Sequence, residues 1–248
     1  MQIISQINQH GFVKVNDLSE SLQVSLVTIR KDLAFLESLE LLFRTHGGAS
    51  KQSIFTFERS VGEKETIKVD QKKQIAIAAK TFIKNNDAVI LASGTTVIYL
   101  ARLLKDYESL TVLSVSLQVA LELSDASGVS VIHLGGVLRK NSLSVVGPLA
   151  EHNIAQFSCN TLFLGVDGID INYGLTTSSQ EVASLNKAMI LASDKIIVLT
   201  DSSKIGKHSL CKIANIEDIH TIITDNGITK ETKKHITNLG VNVIIAGL

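Results

Sequence analysis

VSLVTIRKDLAFLE, residues Val24 to Glu37, is the stretch on which the reading of this chain turns. Gln23 and Val24 make a short turn that delivers Ser25, a residue type suited to cap a helix N-terminus. Leu26, Ile29, Leu33 and Leu36 follow at helical spacing, and at about 100° per residue they share one side of the helix. Val27, Thr28, Arg30, Lys31 and Ala34 project from the other side. Small, hydrogen-bonding and cationic side chains together suit a DNA major groove, with thymine methyls, guanine edges and phosphates as their targets. Upstream, Asn16 is placed to cap a helix carrying Leu18 and Leu22, which completes a helix-turn-helix. The alternative is an amphipathic helix packed in an ordinary core. Turn, cap and outward cations coincide, which argues against it.

Charge narrows the possibilities. Lys plus Arg and Asp plus Glu each number 24, so no global field draws the chain to nucleic acid or to a membrane. Within residues 1–50, Lys14, Arg30, Lys31 and Arg44 face Asp17, Glu20, Asp32, Glu37 and Glu40. DNA affinity must therefore come from the placement of a few cations, doubled by self-association. Cys159 and Cys211 stand alone, so neither a disulfide framework nor a metal site is expected. No signal segment or membrane span is read, and a cytoplasmic location is the expectation.

The 248 residues suffice for two modest domains. Residues 1–52 read as the DNA-binding head and end in the ribbon LLFRTHGGA, Leu41 to Ala49. A two-stranded ribbon after a recognition helix is a wing, with Arg44 and His46 as its DNA contacts; a plain connecting loop is the other possibility. Residues 53–68 mix Ser, Gln and charges without periodicity and read as a linker. From residue 69 to 248, seven apolar runs (Ala88–Ala92, Leu110–Val115, Val129–Leu134, Thr161–Val166, Ile196–Thr200, Ile219–Thr224 and Val241–Ala246) predict strands. Helices are predicted over Gln71–Lys84, Thr96–Lys105, Leu117–Leu123, Gln180–Ser193 and Lys230–Leu239. Continuous apolar strands alternating with helices imply an α/β domain whose parallel sheet is covered on both faces.

Ligands of such sheets bind where strand ends open into helices. Ser93, Gly94, Thr95 and Thr96 follow one strand and open a helix, a setting for a small anion; without a P-loop Lys it fits a sugar phosphate better than ATP. A helix cap without ligand is the bland alternative. Gly135 and Gly136 follow another strand, with Arg139 and Lys140 close behind. Asp167 lies in GVDG, Thr176 and Thr177 in GLTTS, Glu181 opens the next helix, and Ser203 and Lys204 belong to DSSK. Four such loops converging on one crevice form the expected effector site. An isomerase or deaminase would need an acid or His at that crevice. Asp167, Asp201 and Glu181 are the convenient acids, while His133 lies within a strand.

These residues together resemble the DeoR family along essentially the whole chain. VSLVTIRKDLAFLE and RTHGGA carry the likeness in the head. SGTT, GGVLRKNSLSVVG, LFLGVDGID, GLTT and DSSK carry it beyond. VNDLS, VTIRKDLAFLE and TDSSK are most similar to repressors of N-acetylgalactosamine and galactosamine operons. The resemblance implies a winged helix-turn-helix joined to a Rossmann-like sensor domain related to ribose-5-phosphate isomerase and glucosamine-6-phosphate deaminase. It implies operator DNA and a phosphorylated sugar or amino sugar as partners, a homo-oligomer (dimer or tetramer), no cofactor and no catalysis. A repressor relieved by its effector is the expected function. A sugar-phosphate enzyme and a DNA-binding protein with a degenerate, oligomerising second domain are the alternatives.

Three positions depart from the family pattern. Ala92, Asn160 and Val182 stand where relatives carry acids, which predicts altered effector choice on the sugar side. The chain also opens within the first helix of the head, where relatives carry a preceding basic turn, so either weaker DNA binding or a truncated start is expected. Asp32 is expected to tie the recognition helix to its neighbour.

Overall fold

The computed structural model describes residues 2–39, 41–45, 47–50 and 60–247, with the Thr45 side chain left out. It divides into two compact units, Met1–Arg59 and Ser60–Leu248.

The first unit runs α1 (Gln2–His10), β1 (Phe12–Lys14), α2 (Val15–Leu22), α3 (Leu26–Ser38), β2 (Phe43–Thr45) and β3 (Gly48–Ser50). Its strands form an antiparallel sheet in the order β1-β3-β2, so the ribbon is a wing and not a plain loop. Gly48 fits that sheet because a Cβ there would lie 2.3 Å from the Val13 carbonyl oxygen. Ile3, Ile7, Val13, Val15, Leu18, Ile29, Leu33, Leu42 and Ala49 fill the core. Two details differ from expectation. Helix α2 begins at Val15, with Lys14 and not Asn16 at its cap position, because Val15 is itself a core residue. Leu26, expected inside, is 39% exposed, since it sits at the first turn where the core has not yet closed over the helix.

The second unit opens with α4 (Val61–Glu65) and α5 (Val69–Lys80), then β4 (Ala88–Leu91), α6 (Thr95–Arg102), β5 (Leu110–Ser114), α7 (Leu117–Leu123) and β6 (Val129–His133). It continues through β7 (Val137–Arg139), β8 (Ser144–Val146), α8 (Pro148–Ile154), β9 (Cys159–Gly165), β10 (Gly168–Asp170) and β11 (Gly174–Thr177). It closes with α9 (Gln180–Leu191), β12 (Ser193–Leu199), β13 (Cys211–Ala214), β14 (Thr221–Thr224), α10 (Lys230–Asn238) and β15 (Asn242–Ile245). All seven predicted strands join one parallel sheet, ordered β15-β14-β12-β9-β4-β5-β6. Alternating side chains feed two cores. Ile90, Leu113, Leu162 and Val198 meet α8, α9 and α10 on one face. Val89, Val112, Phe163 and Ile197 meet α5, α6 and α7 on the other. A β7–β8 hairpin and a small sheet β10-β11-β13 are added at strand ends read from the sequence only as loops.

Residues 60–68, expected as linker, belong to this unit. Ser60 and Glu63 form a capping box that starts α4, and Val61 is buried in the second core. Polar composition hid an ordered segment held by caps and tertiary contacts.

Candidate functional site

In the first unit, Ser25 caps α3: its Oγ accepts the Thr28 amide at 3.2 Å and lies 2.9 Å from the Thr28 hydroxyl. Gln23 adopts a left-handed conformation that turns the chain between the helices. Ile29 and Leu33 point inward, while Val27, Thr28, Arg30 and Lys31 are exposed on the opposite face. Among the described residues neither Arg30 nor Lys31 makes an ion pair. Ala34 is half-buried. Arg44 is exposed on the wing, and its amide donates to Glu37 at 3.0 Å, which fixes the strand to the end of α3. His46 lies outside the described residues. Asp32 is exposed and tied to no neighbour among them, contrary to expectation, because Ile29, Leu33 and the half-buried Leu36 make the inward stripe.

In the second unit, sheet order reverses between β4 and β9, the switch point at which open α/β sheets take ligands. The loops after these strands nearly touch: a Cβ on Gly165 would lie 3.0 Å from the Ser93 carbonyl oxygen. Gly94, at φ +136°, caps α6 without a side-chain bond, leaving the first-turn amides of Thr95 and Thr96 directed along the helix axis. Both threonines are buried. Lys204 arrives from the loop after β12 and donates to the Val166 carbonyl at 2.8 Å. Asp167 accepts from the Thr177 hydroxyl at 3.0 Å and from the Ser178 amide at 3.2 Å.

Three lysines absent from the sequence-based site complete the crevice. Lys64 reaches Asp167 at 3.4 Å and Lys68 reaches Asp201 at 3.0 Å. Lys72 donates to the Lys64 carbonyl. Lys64 and Lys68 fall in the stretch read as linker and Lys72 in the helix read from Gln71, so no local pattern joins the three. Four lysines thus surround two aspartates, a local excess of positive charge. Burial pushes the Lys72 ammonium down to about 8, with Lys204 adding to the effect, and burial likewise lowers Lys204. Asp167 moves the other way: burial would raise it, but Lys64 and Lys204 together with its hydrogen bonds hold it at about 2.

Other predicted positions divide. Ser203 is exposed, and its amide and hydroxyl both donate to Asp201. Glu181 is exposed; the Ser179 hydroxyl, donating at 2.7 Å, holds its carboxyl low, with a smaller pull from Arg139. Thr176 is fully buried, donating to the Gly168 carbonyl and accepting the Ser209 amide, so it ties the small sheet together. Gly135 and Gly136 adopt positive φ in the chain entering the hairpin, where a Cβ on Gly136 would lie 2.6 Å from the Val146 oxygen. The His133 Nδ1 accepts the Gly135 amide at 3.3 Å at the end of β6.

The three departures from the family pattern stand at the chain positions read from the sequence. Asn160 sits at the opposite, N-terminal end of β9, where its side chain accepts the Ala88 amide at 2.8 Å. Ala92 is buried in a core cluster and Val182 packs against the same cluster. Asn160 thus stands at the end of β9 away from the Gly165 loop. Among the described residues no cluster of His, Cys, Asp and Glu could hold a metal ion, and no helix is long and apolar enough to cross a membrane. Cys159 is buried in the core, its thiol pushed up to about 11 by burial, and Cys211 is half-buried.

Comparison with known proteins bears on both units. A family model of a DeoR-like helix-turn-helix domain matches residues 1–54, and one of the DeoR C-terminal sensor domain matches residues 67–226. A protein of Escherichia coli O157:H7 bearing the name of an aga operon transcriptional repressor is 40% identical over 248 residues, spanning 99% of this chain and 92% of its own length. An HTH-type transcriptional regulator of Bacillus subtilis strain 168, YulB, is 38% identical over 98% of this chain and 93% of its own length. A lactose phosphotransferase system repressor of Staphylococcus epidermidis is 31% identical over 94% of this chain and 93% of its own length. Among solved structures, ribose 5-phosphate isomerase A of Methanocaldococcus jannaschii gives a TM-score of 0.41 at 15% identity, over 55% of this chain and 54% of that one. So slight a likeness decides nothing about function.

Proposed function

This chain belongs to the DeoR family, and we propose that it is a transcriptional repressor of a sugar or amino-sugar operon whose grip on DNA is loosened by a phosphorylated sugar. Thr28, Arg30 and Lys31 read the major groove, with Val27 as an apolar contact and Ser25 holding the helix start. Arg44 and His46 of the wing reach the backbone or minor groove. Two copies of the chain read paired half-sites.

The single observation that carries the effector assignment is the crevice: Lys64, Lys68, Lys72 and Lys204 around Asp167 and Asp201, beside the open amides of α6. A phosphate sits at Ser93 to Thr96 and draws on these lysines. Asp167, Thr177, Glu181 and Arg139 offer hydrogen bonds to sugar hydroxyls or an amine, with Ser203 and the glycine turn at Gly135 and Gly136 at the rim. The effector shifts DNA binding only by its differential affinity for two states of the chain.

Fluorescence anisotropy on an operator duplex selected from random DNA, repeated with galactosamine 6-phosphate, glucosamine 6-phosphate and ribose 5-phosphate, tests this reading. At least one sugar phosphate is expected to weaken operator binding several-fold. Indifference to every sugar phosphate favours a purely oligomerising second domain, and turnover of any of them favours an enzyme.

A further inference from the structure

Arg102 bridges two carboxylates from different elements. Its Nη2 donates to Glu65 at 2.6 Å and its Nε to Glu122 at 2.8 Å. The guanidinium also lies over the Tyr99 ring, 4.9 Å from its centroid. A planar fork held between two acids and stacked on an aromatic face has little freedom left. Among the described residues none of these three charged side chains bonds a crevice lysine, yet Glu65 is the immediate neighbour of Lys64 and its charge favours the Lys72 ammonium.

The placement of α4 gives this bracket its meaning. A helix of five residues has no stability of its own, so tertiary anchors alone set its position. The Val61 amide donates to Asn141 in the β7–β8 turn at 2.7 Å, and Lys64 reaches Asp167 behind β9. Lys72 donates to the Lys64 carbonyl, and Lys68, just beyond the helix, reaches Asp201 behind β12. Glu65 fastens the helix to α6, whose N-terminus opens onto the crevice. Ser60, its cap, follows directly on residues 51–59, which lead from the wing. The helix is therefore tied to several crevice loops and is the first described element after the head.

We propose that Arg102 is a positioning residue for signal transfer: by gripping Glu65 it makes α4 move as one body with the crevice, so that occupancy felt at Lys64 and Lys68 reaches the chain leading to the DNA-binding head. This rests on the repressor reading above. An anion drawing Lys64 and Lys68 away from Asp167 and Asp201 changes two of the anchors of α4, and the Arg102 bracket converts that change into a displacement of the whole helix. Without the bracket, the lysines rearrange locally and the change stops there.

The test separates binding from transfer. Full-length wild type, Glu65→Gln and Glu122→Gln are titrated by calorimetry with galactosamine 6-phosphate, glucosamine 6-phosphate and ribose 5-phosphate. The same three proteins are titrated on the selected operator duplex with and without each compound. Glu65→Gln is expected to keep effector Kd within about threefold of wild type while the effector-induced weakening of operator binding falls tenfold or more, a factor worth about 1.4 kcal/mol of coupling. Glu122→Gln, which leaves the Glu65 contact in place, is expected to lose less. A responsive wild type with an equally responsive Glu65→Gln overturns this proposal alone. So does a parallel loss of binding and coupling, which would make Glu65 part of the binding site. A wild type whose operator binding ignores all three compounds overturns the repressor reading and this proposal together.

Discussion

The recognition face of α3 and the crevice of the second unit handle positive charge in opposite ways. Arg30 and Lys31 stand in solvent with no ion pair among the described residues, whereas Lys64 and Lys68 are paired with aspartates and Lys72 and Lys204 donate to backbone carbonyls. A free cation on a rigid helix is a standing invitation to an external polyanion. A cation already compensated inside the protein can accept a ligand only by exchanging partners, and exchange is what a switch requires. In the function proposed above, one surface binds and the other rearranges.

The sharpest break in that comparison comes from the head's small core. Leu33 is 1% exposed and supports the recognition helix, so Leu33→Ala is expected to cost about 2–5 kcal/mol of head stability. Operator binding should vanish while the melting transition of the second unit stays in place, read by calorimetric scanning.

The next effect runs in the opposite direction. Folding lowers the Lys72 pKa, so its charge is a penalty that is fully present below about pH 8 and is relieved as pH rises towards its unfolded value of 10.5. Lys72→Met should therefore stabilise the empty chain at pH 7 by roughly 2–3 kcal/mol and weaken anion binding. Calorimetry near pH 8 in buffers of different ionisation enthalpy should show proton uptake when wild type binds an anion. Equal heats in all buffers would remove Lys72 from the site.

Asp167 sharpens the same contrast from the acid side. Its folded pKa of about 2 lies below the ordinary 3.8, so its stabilisation is complete above about pH 4 and is lost as pH falls towards 2. The loss should amount to about 2 kcal/mol, and Asp167→Asn should flatten that part of the stability profile in denaturant titrations. The smallest effect belongs to the wing. Arg44→Ala should weaken operator binding by about 1 kcal/mol or less at physiological salt and reduce the salt slope by about one.

How much of this was legible in sequence follows from range. Helix α3 and the seven strands announce themselves through local period, because each buries a stripe or a run set by its own residues. The Ser93–Thr96 turn and the Asp201–Lys204 turn were legible for the same reason. Helix α4 was not: five polar-rich residues show no period, and the Lys64–Asp167 and Lys68–Asp201 pairs join positions 103 and 133 residues apart. Asn160 reads correctly as preceding the strand into GVDG, but its assignment to the sugar side overlooks the length of β9. The seven residues of that strand span roughly 20 Å and carry Asn160 to the far end of the sheet. The hairpin at β7 and β8 escaped for want of length, each strand having three residues.

The most direct trial of the account is operator binding by a chain carrying Arg30→Ala and Lys31→Ala together, followed by fluorescence anisotropy beside wild type at fixed salt. Both side chains are exposed, so the fold should survive, and affinity should fall tenfold or more, as expected for loss of a base contact worth about 1–3 kcal/mol. Wild-type affinity in the doubly substituted protein would contradict the claim that this face of α3 reads DNA.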